Sequence, residues 1–253
     1  MENRTVREIE GSKKNMIFLH AMNRSTRKNS GLSASELAKM IDHTKLGPDV
    51  TLEDIKLLCQ QASTHKFASV CIPPCYVKEA KLMLLGEDTP LVGTVVGFPH
   101  GNSTRDSKQM EAHNAVRDGV KEIDMVMSIG QFKSGLMKEV QKDIEQVVLI
   151  SYRKAIVKVI VECCLLTDQE IRTACLLAQN AGAHYVKTST GFAHGGATVD
   201  DVKLMHKTVG GSLGIKASGG IRTHEQALAL IKAGATRIGA SASISIVEGM
   251  NHD

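Results

Sequence analysis

Eight short apolar runs punctuate the chain: KMIDH (39–43), FASVCI (67–72), LVGTVVGF (91–98), EIDMVM (122–127), AIVKVIVE (155–162), HYVKTS (184–189), LGIKAS (213–218) and TRIGAS (236–241). Each has the length of a strand and is rich in β-branched residues or bounded by turn formers. Between the runs, apolar residues fall at three-to-four spacing, as in IRTACLLAQNAGA and EQALALIKAGA, which predicts helices. The helix starts share one form. Thr51 precedes Asp54, Thr167 precedes Glu170, Thr198 precedes Asp201 and Thr223 precedes Gln226, each a hydroxyl cap three residues before a carboxyl or amide. Gly182 and Gly234 stand where helix C-caps belong. Ser33-x-x-Glu36 marks a further short helix, expected to close the bottom of the fold. Eight strand–helix units predict an α/β (β/α)8 TIM barrel. An open doubly wound sheet is the other arrangement of such units.

Composition agrees with one large core. Of 253 residues, 42% are hydrophobic, yet only 3% are aromatic and Trp is absent. The core must come from Ile, Val, Leu, Met and Ala, which suits parallel strands buried on both faces. The division expected is a basic N-terminal extension, 1–32, and a barrel domain, 33–253. Residues 1–30 hold seven Lys/Arg and three Asp/Glu, so they account for the net charge of +4. The remainder is neutral overall, which excludes the basic footprint of a nucleic-acid binder. Three glutamates argue against a transit peptide, and MIFLHAM is too short and polar for a secretory signal. No apolar run reaches the ~18 residues of a membrane span. A soluble, cytoplasmic protein is expected. Its six cysteines, at 59, 71, 75, 163, 164 and 175, read as reduced thiols. Cys71-x3-Cys75 lacks the second ligand pair of a zinc site, so no metal is expected.

Chemistry gathers at the strand ends. In such a barrel the C-terminal ends of the strands face the active-site mouth. Asp42 and Thr44 end the first apolar run, Cys71 lies near the end of the second, Asp124 in the fourth, Lys187 in the sixth and Lys216 in the seventh. Adjacent strands lie ~4.8 Å apart, so Lys187 and Lys216 are placed to approach each other. Burial and like charge both favour a neutral amine, which can attack a carbonyl and form a Schiff base. A nearby carboxylate, Asp124 or Asp42, would handle protons. Any single lysine or aspartate of this kind also has a structural reading, as a snorkelling side chain or a buried acceptor. A glycine cluster adds a second feature. SGG (218–220) precedes the helix capped by Thr223, and GAS (239–241) follows the last strand. Together with Gly191 these loops match the usual phosphate site of the fold, although turn glycines alone would look similar. Arg222 stands either at that phosphate or on the surface. His100 and His194 sit on mouth loops, at the entrance or in solvent.

Taken in order, IDHTKL, VCIPPCYV, VGFPHG, EIDMV, VKTSTGF, KASGGIR and RIGAS resemble the deoxyribose-phosphate aldolases, a class I, Schiff-base aldolase family. The resemblance runs from about residue 37 to 247. It implies a lyase that cleaves 2-deoxy-D-ribose 5-phosphate reversibly to acetaldehyde and D-glyceraldehyde 3-phosphate without metal or cofactor. It implies Lys187 as the imine-forming residue, Lys216 as the lysine that perturbs it, Asp124 as the acid/base, and Asp42 as a contact of the second lysine. Substrate and phosphate binding would fall to Cys71, Thr188, Gly191, Gly219, Gly220, Arg222, Gly239 and Ser241. The partner implied is a small phosphosugar, with a homodimer as the expected assembly. Three departures stand out: Phe192 after STG, Ala242 after Ser241, and the pair Cys163–Cys164 after the fifth run's glutamate. An aldolase for another phosphosugar and a binding protein without turnover remain the competing readings.

Overall fold

The computed structural model describes residues 32–249. Residues 1–31, almost all of the expected extension, lie outside the described residues. Eight parallel strands, β1 Ile41–Thr44, β2 Ser69–Ile72, β3 Leu91–Val96, β4 Glu122–Val126, β5 Ile156–Ile160, β6 Tyr185–Lys187, β7 Gly214–Ser218 and β8 Arg237–Ala240, pair in sequence order. β1 pairs with both β2 and β8, so the sheet is a closed barrel rather than an open doubly wound sheet. Every strand coincides with an expected apolar run, and only β1 passes the end of its run, by the single residue Thr44.

The helices between them begin as the threonines predict. Thr51, Thr167 and Thr223 accept the N–H three residues on, and Asp54, Glu170 and Gln226 return the bond to the cap backbone. Thr198 accepts from the Asp201 N–H but donates its hydroxyl to the Asp201 carboxylate instead. Thr104 caps the helix Arg105–Arg117 through the Ser107 N–H. That cap escaped the pattern because its third residue is a serine. Gly234 closes the helix His224–Ala233, and Gly182, with φ 79°, lies just past Asp168–Asn180. The helix after Ser33 spans Ala34–Ala38 and packs against Ser243–Glu248. A short helix, Ile129–Lys133, stands after β4 where none was expected.

The strands are buried on both faces, but the faces differ in kind. On β4, Ile123 and Met125 are wholly buried, while Glu122 and Asp124 alternate with them and meet charges from other strands. Side chains alternate faces along a strand. The barrel interior is therefore ionic where such interiors are commonly filled by Val, Ile and Leu.

Candidate active site

Register sets the chemistry. Lys187 on β6 lies level with Lys216 on β7. Both ammonium nitrogens reach one oxygen of Asp124, Oδ2, at 2.8 and 2.7 Å. Lys216 also forms an ion pair with Asp42, 2.5 Å from its Oδ2. The other Asp124 oxygen accepts from Lys158, on β5, at 3.0 Å. Lys158 continues to Glu122 and lies 3.3 Å from Asp42 Oδ2. Arg237 on β8 pairs with Asp42 at 2.6 Å and Glu122 at 3.0 Å. Ser69 donates to Asp42 Oδ1 at 2.7 Å. The four catalytic candidates, Lys187, Lys216, Asp124 and Asp42, thus belong to one buried network. Sequence reasoning missed three of its charged members, Glu122, Lys158 and Arg237, and the hydroxyl of Ser69.

These charges do not respond alike. Burial alone would raise Asp42, but Arg237, Lys158 and Lys216 hold it well below the usual carboxylate range. Burial likewise opposes ionisation of Asp124, and Lys158, Lys187 and Lys216 overcome it. Lys158 and Lys216 are pushed down by burial yet end above the ordinary lysine value because carboxylates surround them. Lys187 is the exception among the three. Burial lowers it, Asp124 only partly compensates, and Lys216 pushes it down further. Desolvation is thus the larger cause, and the neighbouring cation the second.

Lys187 is also the one lysine of the three that lines the adjoining cavity, whose volume is about 380 Å³. Its walls include Gly191 from the loop after β6, Gly219, Gly220 and Arg222 from the loop after β7, and Gly239 and Ser241 at the end of β8. Gly191, Gly219 and Gly220 all have positive φ, 85°, 86° and 76°. That backbone turns the amide-bearing loops around the cavity, a conformation side chains resist. Gly196 and Gly219 meet backbone to backbone; a Cβ on Gly196 would come 2.2 Å from the Gly219 oxygen.

Two expected ligands sit elsewhere. Cys71 is buried beside Asp124, its sulfur 4.0 Å from Oδ2, and burial pushes its thiol up to about 11. Thr188 is buried, and its hydroxyl accepts from the Ser218 N–H and donates to the Ser218 carbonyl. Neither lines the cavity, whereas Thr44, Lys45, Thr190 and Ser218 do. Thr190 is held by Glu162, which accepts both its N–H and its hydroxyl from the end of β5. Glu162 adopts φ 59°, an uncommon conformation for a residue with a side chain.

The departures are now placed. Phe192 is half exposed at the cavity rim and meets Phe98 edge to face at 5.2 Å. Ala242 precedes the helix Ser243–Glu248 and gives it no side-chain cap. Cys163 is buried with its sulfur 3.8 Å from Met205, away from the cavity lining. His100 and His194 are exposed and do not line the cavity. No described helix is long and apolar enough to cross a membrane, and the described residues hold no cluster suited to a metal ion.

A closed barrel with a buried amine at the edge of a glycine-rim cavity defines an imine-forming lyase as the class of protein that this architecture suits. The comparisons give the family. Residues 36–250 match the DeoC/LacD family aldolase model, and the chain belongs to that family. It is 52% identical over 218 residues to deoxyribose-phosphate aldolase 1 of Bacillus licheniformis, covering 86% of this chain and 97% of the relative. It is 53% identical over 216 residues to the deoxyribose-phosphate aldolase of Clostridium kluyveri, covering 85% and 99%. Among solved structures, the tetrameric deoxyribose phosphate aldolase of Aeropyrum pernix superposes with a TM-score of 0.79 at 30% identity, covering 87% of this chain and 93% of that one.

Proposed function

We propose that the chain cleaves 2-deoxy-D-ribose 5-phosphate reversibly to acetaldehyde and D-glyceraldehyde 3-phosphate through an imine on Lys187. One observation carries the residue assignment. Of the three lysines in the barrel interior, Lys187 alone lines the cavity and alone is pushed below its ordinary value.

The neutral Lys187 amine attacks C1 of the open-chain sugar, and loss of water leaves a protonated imine. Removal of the C3 hydroxyl proton then breaks the C2–C3 bond. Its electron pair moves into the imine as an enamine, and C3 leaves as the aldehyde of glyceraldehyde 3-phosphate. Protonation at C2 and hydrolysis release acetaldehyde and restore the amine. Asp124 sits between both lysine nitrogens, so it relays protons among Lys187, Lys216 and a water. The surrounding lysines make it a stronger acid than an ordinary carboxyl and so a poor store for a proton, which favours a relay role over a standing base. Gly191, Gly219, Gly220, Gly239, Ser241 and Arg222 would hold the phosphate, through backbone amides and a guanidinium.

Borohydride reduction with deoxyribose 5-phosphate, followed by peptide mapping, tests the reading. A reduced adduct on Lys187 is expected; an adduct that persists in Lys187→Ala refutes the assignment. Product assays across phosphosugars separate this substrate from its relatives. The proposal includes a cytoplasmic setting and a homodimer. Light scattering on the full chain tests the latter against the tetramer named for the Aeropyrum pernix relative.

A further inference from the structure

Below Lys187, the barrel holds a second ionic layer set back from the cavity that Lys187 lines. Glu122 and Lys158 are 1% exposed and paired directly with each other. Neither lines the cavity beside Lys187. The pair is central nonetheless. Lys158 shares the Asp124 carboxylate with Lys187, one nitrogen on each oxygen. Glu122 reaches Arg237, which in turn grips Asp42, the partner of Lys216.

The interior can be counted by strand. β1 contributes Asp42, β4 Glu122 and Asp124, β5 Lys158, β6 Lys187, β7 Lys216 and β8 Arg237. β2 adds the Cys71 thiol, and β3 has no titratable residue. Tyr185 on β6 lies under Arg237, 5.9 Å from ring centre to guanidinium carbon. Three carboxylates therefore face four basic groups. A buried unpaired charge is costly, so the network is balanced only when one basic group is neutral. Arg237 cannot serve, because guanidinium stays charged. Lys158 is gripped by three carboxylates and Lys216 by two, while Lys187 has one.

We propose that Glu122 and Lys158 are positioning residues that fix the charge parity of the barrel interior, and that this parity leaves Lys187 as the uncharged amine. This rests on the reading of Lys187 as the imine former. It extends that reading, because the pair acts from a layer that substrate does not touch. Charge balance fixes the sign of each perturbation. Removing Lys158 leaves an excess carboxylate, so Lys187 holds its proton to higher pH. Removing the Glu122 charge leaves an excess cation, so Lys187 loses its proton at lower pH. Removing both restores the balance.

The test uses acetaldehyde as the carbonyl probe, which forms the imine without engaging the phosphate site. The full chain is incubated with acetaldehyde and cyanoborohydride from pH 5 to 9, and adduct growth is followed by intact mass. The acid limb of the rate profile reports protonation of Lys187. Lys158→Met should move that limb up, and Glu122→Gln should move it down, each by on the order of one pH unit. The double variant should return close to the native limb. A purely structural role would lower the rate without moving the limb in opposite directions. Coincident limbs in native, Glu122→Gln and the double variant would overturn the proposal, as would a shift of the wrong sign. If Lys158→Met does not fold, the near-isosteric Glu122→Gln decides by its sign alone. Native protein that forms no adduct at any pH would instead refute the imine reading itself.

Discussion

Replacing Lys216 by methionine removes a cation while keeping most of the buried volume, so its effect should be chiefly electrostatic. Lys216 and Lys187 bind the same oxygen of Asp124 at 2.7 and 2.8 Å. Two donors on one oxygen stand roughly 4.5 Å apart; at an effective dielectric of about 20, that repulsion is worth about 3–4 kcal/mol, or about 2.5 pH units. Desolvation of Lys187 remains in the variant, so its amine should rise by that amount without becoming an ordinary surface lysine. Each pH unit is a tenfold change in the neutral fraction, so imine trapping near neutral pH should slow by roughly 100- to 300-fold. The loss should be largely recovered at high pH, which distinguishes it from damage to the site. The assay is cyanoborohydride trapping across pH, with circular dichroism to verify the fold. Slow trapping at every pH, with the acid limb in its native place, would refute the electrostatic role of Lys216.

Three further outcomes rest on the same geometry. In Gly239→Ala the new Cβ would stand 2.8 Å from Lys216 Cε and 3.1 Å from Ser218 Cβ, so Lys216 must leave its place between Asp42 and Asp124; kcat should fall about 100-fold, as expected for ~1 Å misplacement, with native circular dichroism. Arg222→Ala should raise KM for deoxyribose 5-phosphate about 10-fold and narrow the preference over unphosphorylated deoxyribose, since a charge-assisted phosphate contact is worth about 1.5–3 kcal/mol; unchanged KM places Arg222 outside the phosphate site. Asp42 and Asp124 both have lowered values in the folded state. Their stabilisation should be full above the unfolded carboxylate value of about 3.9 and be lost as pH falls toward the folded values. Urea midpoints between pH 2 and 6 check this, and a midpoint that rises on acidification contradicts it.

The barrel was legible because its signals are local. A β-branched run and a threonine three residues before a carboxyl or amide can each be read without knowing the fold, and they placed every strand. The four catalytic candidates were legible as polar residues in apolar runs: Asp42, Lys187 and Lys216 stand toward the C-terminal ends of theirs, and Asp124 sits mid-run in EIDMVM. The inner layer was not. Lys158 sits mid-run in AIVKVIVE, where one lysine reads as a tolerated exception. Glu122 and Arg237 sit at strand starts, the end a search for the mouth ignores. The signal that could have found them was the alternation in EIDMV: on a strand buried on both faces, charges at alternate positions mean an ionic interior. Thr188 entered among the expected ligands through the family resemblance, and its bonding could not be read from the sequence. Only the pairing of β6 with β7 reveals that its hydroxyl is engaged by Ser218.

An interior of three carboxylates and four basic groups is a poor way to stabilise a barrel. Buried ion pairs often lose to well-packed hydrophobic residues by about 1–4 kcal/mol. The arrangement makes sense if stability is exchanged for control over one proton. A lone lysine in an aliphatic core would also be neutral, but no relay would serve it and no carboxylate would stabilise its iminium. On the proposed mechanism Lys187 gains a positive charge as the imine forms, and Asp124 stands 2.8 Å from its nitrogen in the free protein. The network therefore disfavours the ammonium before reaction and still offers a carboxylate to the iminium afterwards. Glu122 and Lys158 keep that carboxylate in place from below, where substrate never competes for them. On this argument, an aliphatic replacement of the whole inner layer should yield a more stable barrel and a much weaker catalyst. A stabilised, fully active variant of that kind would show that the buried charges serve neither purpose.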